Sequence, residues 1–488
     1  NKLGITLNLH DLLGREIFVE HERLPFPLQK VSAETIVTLT SEKRFSIQLL
    51  STCALVGFIY GFLVYALPFV LKAWTGSVVQ IVPIPWIDLN RSVQDFLPGA
   101  CLGAATDIAY FASAFVLPFP TVISIVIGSF AIYFFGNWLT VAYNLSPIPW
   151  YVPGMNMQDA LQRSILYFWA TPLIGVGLAV GIFPLIRHAA VVRRAINSIL
   201  HPSLIKERLT DPVNSRKWIF MPLIVSLAAS VMIFAVLVPG FVTAFPWIIP
   251  FFLVMPFVWT LIDSRLIGET GISISGAAGG NLNYLLYYAS GYKGVDVWFA
   301  PTFTLVSGGG YVGLFEVARL TKTKVTDYIK AWWITYPLAF LMGFIYMEMF
   351  WRLAPIPSAA YPGVQIFWPI SATYSALWIR GGMLGIFNPL WILFGFLIGG
   401  GIYAVTEFAH LPLSYIGLAA GAATFTPFAL TYLVGAFIAK LFEMRTGKKW
   451  WSENKNIIAG GLVMGESVAI TIGVAITLII NSIWLLPW

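Results

Sequence analysis

Residues 263–283, DSRLIGETGISISGAAGGNLN, set an aspartate, an arginine and a glutamate beside a glycine-broken stretch. The flanks, FPWIIPFFLVMPFVWTLI before it and LLYYASGY after Tyr284, are apolar enough for a bilayer. Ionisable groups at membrane depth are expensive, and irregular backbone is tolerated there only where it is buried or lines a cavity. The combination predicts a segment that handles a polar solute. Glu269 is its leading candidate, because a carboxyl group facing a cavity can exchange protons. Arg265 lies four residues earlier and shares a face with Glu269 if the helix continues. An ion pair there would hold Glu269 charged, as a clamp on a broken helix, so both roles stay open. Asn281, Asn283 and Tyr284 follow the small-residue run 276–280. They offer amides and a phenol to a peptide backbone, or equally to a neighbouring helix. A half-helix beginning here would aim partial positive charge at a carboxylate.

Other ionisable residues fall within apolar runs. Glu466, after Gly460, Gly461 and Gly465, reads as a second proton site, a partner for Arg380, or a contact between helices. Asp107 is the lone acid of 98–116, which makes it protonated or cavity-facing. Arg380, in IRGGML, reads as an anchor at the positively charged side or as a contact for an anionic group. Glu316 with Arg319 reads as interfacial, Glu348 with Arg352 as a rim pair, and Glu407 with His410 as polarity at the outer edge. The two cysteines, Cys53 and Cys101, and five scattered histidines supply no ligand spacing, so neither a metal centre nor any cofactor is expected. Gly308, Gly310 and Gly313 match GxGxxG in form only, since no soluble strand precedes them.

These residues must be positioned by membrane-spanning elements. Apolar residues make up 58% of the 488 and charged residues 10%, against roughly 25% charged in soluble domains. The chain reads as an all-α polytopic membrane protein with about 12–13 transmembrane segments, some Gly/Pro-broken or re-entrant. The net charge of +7 sits in a few loops, the pattern of membrane topology rather than of nucleic-acid binding. Loops 187–217, 319–330 and 440–455 go to the cytoplasm; loops near 73–97, 143–160, 239–246 and 352–365 go outside. Crossings follow at 46–72, 98–116, 118–142, 161–186, 218–238, 247–264, 268–290, 297–318, 331–351, 366–382, 384–405, 411–439 and 456–486. Of these, 98–116, 268–290 and 366–382 are short or interrupted. The turn near Arg265 then lies toward the cytoplasm. PIPW at 83–86 and 147–150 places Trp86 and Trp150 in outer loops, as belt residues or by coincidence. Gly57/Gly61, Gly177/Gly181, Gly395/Gly399 and Gly417/Gly421 are small-xxx-small pairs that let helices approach closely.

Four stretches carry a resemblance: VEHERLPFPLQKVSAETIVTL at 19–39, LPGACLGAATDIAYF at 97–111, SRLIGETGISISGAAGGNLN at 264–283 and IIAGGLVMGESVAITIG at 457–473. In order and spacing they resemble the OPT superfamily of oligopeptide and yellow-stripe-like metal-chelate transporters. Position 29–32 reads QKVS where the family more often has small residues. Family members carry several spans before the LPFP segment, so the resemblance implies an N-terminally incomplete chain that begins at Asn1 without a signal-peptide pattern. It also implies a two-half secondary transporter, coupled to protons, for small peptides or peptide-like metal chelates. Residues 1–45 would be a cytoplasmic leading segment, 46–186 the end of the first transmembrane half, 187–217 a basic loop and 218–488 the second half.

The expected function is therefore alternating-access transport of a small peptide or metal-chelate solute by a multi-pass plasma-membrane protein, with protons and the lipid bilayer as further partners. Homo-oligomerisation is compatible with this. The alternatives are a non-transporting scaffold subunit and, with no catalytic constellation in view, an intramembrane enzyme.

Overall fold

The computed structural model describes residues 14–40, 43–71, 80–187, 231–240, 248–273, 309–356, 388–409 and 411–485, apart from position 69 and with a few isolated positions between these ranges. It is almost entirely helical, and six of its helices are long and apolar enough to cross a membrane among the described residues. In hydrocarbon every backbone polar group must be satisfied within the chain, so uninterrupted apolar runs close into helices.

The helices in chain order are α1 (Pro27–Thr40), α2 (Arg44–Ala66), the short α3 (Ile108–Ser113), α4 (Phe119–Ala142) and α5 (Met157–Pro184, running on to Arg187). They continue with α6 (Ile248–Thr270), α7 (Gly309–Leu320), α8 (Val325–Leu353), α9 (Pro389–Phe408), α10 (Tyr415–Ala423), α11 (Thr426–Thr446) and α12 (Lys448–Leu485). Two three-residue strands, β1 (Trp86–Asp88) and β2 (Gly103–Ala105), pair antiparallel with Trp86 opposite Ala105.

Glycine seams hold the bundle together and fix its directions. A Cβ at Gly57 would meet the Leu462 backbone, one at Gly61 would meet Glu466 and Ala469, and one at Gly473 would meet Ala66. Numbers rise together, so α2 and α12 run parallel at backbone contact. By the same reading Gly395 lies on Pro172 and Gly399 on Ala179, so α5 and α9 are parallel too. Arg187 of the α5 helix pairs with Glu407 of α9. This corrects the side expected for Glu407: it lies at the end that carries Arg187, not at the outer edge. We call this the basic end, since Arg44 and the α11–α12 corner with Lys440 to Lys455 also lie there.

The expected crossing 411–439 is two helices. α10 runs parallel to α4, with Gly417 on Ser124 and Gly421 on Ile125. The chain then reverses at Thr424–Phe425, and α11 returns antiparallel to α4, from Phe425 against Tyr133 to Phe437 against Phe119. A 29-residue apolar run contains no charge to mark this reversal; Thr-Pro at 426–427, with proline in the first turn of α11, is the local signal.

The expected crossing 98–116 is likewise not a spanning helix. Its backbone folds back as the β1–β2 hairpin and then enters the six-residue α3. The hairpin and the α10–α11 turn touch: Trp86 meets the rings of Phe425 and Phe428, and Thr431 donates to the Ala105 carbonyl at 2.9 Å. A broken crossing and a re-entrant hairpin from the basic end thus meet inside the bundle. Trp86 and Trp150 are packing residues here rather than belt residues. Trp150 is buried beside Cys101, Tyr133 and Met157 and donates to Thr140 at 3.2 Å.

A further correction concerns Arg265. The helix does not break there; α6 continues to Thr270 and ends at Gly271, whose φ of +74° suits glycine. Most of 268–290 and 366–382, including the glycine run 276–280, lies outside the described residues.

Candidate functional site

The extended stretch 97–107 needs explaining first, because unpaired backbone inside an apolar bundle would be costly. Its polar groups are satisfied by side chains and by irregular neighbouring backbone. Cys101 N–H donates to the Tyr133 carbonyl at 3.0 Å, at a π-helical stretch of α4. Leu102 N–H donates to the Asn90 side chain at 2.9 Å, and Thr106 N–H to the Pro85 carbonyl at 3.1 Å. The hydroxyls of Thr431 and Tyr60 donate to the Ala105 and Thr106 carbonyls at 2.9 and 2.5 Å. Gly99 has a φ of +86° and packs against Trp150, so the LPGA turn requires a glycine there.

This scaffold delivers Asp107 to the start of α3, where its carboxylate accepts from Ala109 N–H at 2.7 Å. Glu466, in the middle of α12 and only 2% exposed, accepts from Ile108 N–H at 3.0 Å. The two carboxyl groups thus converge on consecutive N–H groups at the start of one helix. No lysine or arginine pairs with either among the described residues. Tyr60, Tyr65, Tyr110 and Tyr432 stand close enough to feel one or both charges. Asp107, the lone acid of 98–116, thus has a backbone partner and shares its helix start with Glu466. Arg380, the other partner expected for Glu466, lies outside the described residues.

Glu466 can sit so deep because α12 approaches α2 at Gly465, where a Cβ would overlap the Ala54 carbonyl. Sequence reasoning named Asp107 and Glu466 separately and missed Tyr60 and Tyr110. Nothing in the spacing of these four residues links them.

A second cluster surrounds Arg265. Continuity of α6 places Glu269 one turn on, 3.1 Å from Arg265, as the clamp reading required. Arg265 also reaches Glu22 at 3.3 Å. Glu22 precedes the LPFP segment, which is pinned beside it: Phe26 N–H donates to the Gly268 carbonyl at 2.7 Å. Asp263, 1% exposed, accepts from the Ser273 hydroxyl at 2.6 Å just past the helix end. In the C-terminal half of α7, Glu316 is buried and accepts from Nε and Nη2 of the half-exposed Arg319, both at 2.7 Å. Glu348 and Arg352 do form an exposed pair, at 2.7 Å. Asn281, Asn283 and Tyr284 lie outside the described residues, as does His410.

The leading segment ends in α1, which docks on α12. Glu34 accepts from Asn456 at 2.7 Å, and burial pushes its carboxyl above the ordinary carboxylate range against the pull of that bond, Lys30 and Lys455. Among the described residues no group of three or more histidine, cysteine or acidic side chains is placed to hold a metal.

No curated protein matches the chain. Residues 11–477 match the OPT oligopeptide transporter protein family. That match spans nearly the whole chain and agrees with the helical, multi-span bundle; the protein belongs to the OPT oligopeptide transporter family, transporters of the membrane rather than enzymes.

Proposed function

We propose that the protein is a proton-coupled transporter of short peptides or peptide-like metal chelates, working by alternating access at the plasma membrane, with Asp107 and Glu466 as the proton-carrying pair. The observation that carries this is the convergence of two carboxyl groups on consecutive N–H groups at the inner tip of a broken segment, with no lysine or arginine paired to either among the described residues. Two bare carboxylates gathered at one helix start repel, and a proton on one of them removes that repulsion. Discontinuous helices at mid-bundle are where membrane transporters place their solute and ion sites. A proton or an ammonium group can replace the missing cation, so solute and proton can address the same pair. Such binding biases the outward–inward equilibrium only by its differential affinity for the two states. Glu269 takes the clamp role: Arg265 already neutralises it and ties the leading segment to α6.

The test is uptake by proteoliposomes of the full-length protein, with and without an inward proton gradient, using a mixed short-peptide library. Gradient-driven uptake is expected in the wild type, lost in Glu466→Gln and kept in Glu269→Gln. The opposite pattern in the two variants would return the coupling role to Glu269. Uptake of a metal chelate in place of any peptide would fix the solute class.

A further inference from the structure

At the basic end, the α3–α4 corner and the α11–α12 corner enclose a cavity of about 300 Å³. One wall is apolar, with Phe115, Phe119 and Trp451; the other carries Lys440, Lys448 and Lys455. Glu443 is the one acid in the lining. All three ammonium groups act on that carboxylate, and Lys440 takes it directly at 2.7 Å. Two positive charges remain in excess. Lys455 is half-buried, with its Nζ 3.4 Å from the Val116 carbonyl, and Lys30 and Glu34 of α1 stand behind it and offset each other. Lys440 and Lys448 are exposed, and like charges converging on one cavity repel until a counter-anion joins them. The first turn of the 38-residue α12 opens at the same corner, adding backbone N–H groups with the polarity that favours an anion.

The chemistry of the two walls specifies the ligand. Lysines with a helix start fit a phosphate group, and the ring wall fits something apolar attached to it. Basic pockets between transmembrane helices at the cytoplasmic boundary hold lipid headgroups by this combination. We propose that this cavity is a binding site for a phosphate-bearing anion, held by Lys440, Lys448 and Lys455. The anion comes either from the headgroup of an anionic phospholipid or from free phosphate.

The test follows the melting of the full chain in detergent as dioleoyl-phosphatidylglycerol, dioleoyl-phosphatidylcholine or inorganic phosphate is added. Stabilisation by phosphatidylglycerol beyond that by phosphatidylcholine supports the site and assigns it to lipid. Stabilisation by inorganic phosphate supports it and assigns it to the free anion. Lys448→Gln and Lys455→Gln should each weaken the midpoint by about fivefold, the attraction of one lysine for an anionic lipid. Glu443→Gln should tighten it, a gain that misfolding cannot imitate. Phosphatidylcholine matching phosphatidylglycerol while phosphate has no effect, or midpoints unmoved by all three substitutions, would overturn the proposal.

Discussion

The Glu22–Arg265–Glu269 cluster and the Asp107–Glu466 pair each bring two carboxyl groups together, and among the described residues only the first contains a guanidinium. The first is built from regular structure, with Arg265 and Glu269 one turn apart on an unbroken helix and Glu22 supplied by the adjoining segment. The second is built where regular structure fails, at the end of the extended stretch 97–107, with helix N–H groups as its donors. The difference is electrostatic. A cluster that holds its own cation is complete without a solute and serves as a latch. A pair without one stays open to a proton or a cationic group from outside, and that is the property a coupling site needs.

The largest effect should come from pairing the two substitutions at the second site. If Asp107 and Glu466 act as one unit, Asp107→Asn with Glu466→Gln should lose no more gradient-driven uptake than Glu466→Gln alone, which should lose nearly all of it. Additive partial losses in the same proteoliposome assay would separate the two residues and weaken the contrast.

At the first site the expected effect is on stability. Arg265→Gln leaves two largely buried carboxylates without their cation and should cost about 3 kcal/mol. Glu269→Gln leaves Arg265 on Glu22 and should cost about 1 kcal/mol. Thermal or denaturant unfolding in detergent reads both, and equal costs would mean that Arg265 is not shared as described.

Smaller still, Tyr60→Phe removes the hydroxyl bonded to the Thr106 carbonyl and should cost about 1 kcal/mol or less. It should also lower uptake more than Glu269→Gln does, because it loosens the stretch that positions Asp107. An unchanged uptake rate would detach that stretch from the transport step.

The smallest effect is the pH response of α1. Glu34 keeps its proton to a higher pH in the folded chain than in the unfolded one, because burial disfavours its charge. Its contribution to docking is therefore complete below the ordinary carboxylate range and is lost as pH rises through the raised value. Amide exchange across 27–40, corrected for intrinsic rates, should be slower near pH 5 than near pH 7. Glu34→Gln should remove that difference.

The motifs of the resemblance were legible because each is local. LPFP leads into α1, the 97–111 stretch becomes the hairpin and α3, and Gly-Leu-Val-Met-Gly-Glu becomes the seam of α12 on α2. The glycine pairs at 57/61, 395/399 and 417/421 were legible for the same reason, since a four-residue period falls on one helix face. The sidedness of Glu407 was not, because alternation along the chain assumes that every apolar run crosses. The 411–439 run does not cross, and its hairpin places α9 parallel to α5. Trp150 misled because an indole in a proline-rich loop looks interfacial until the packing around it is known.

By itself the sequence determined the membrane class, the family, the apolar helices and the types of residue available for coupling, since composition and short periods are properties of neighbours in the chain. Tertiary structure alone decided which acids meet, and which of them meets a cation. Glu466 lies 358 positions from the Ile108 amide it accepts from, and nothing shorter than the whole fold carries that distance. Burial and charge compensation depend on all the groups around a side chain, so the same residue type is paired to a guanidinium at 269 and to a backbone N–H at 466.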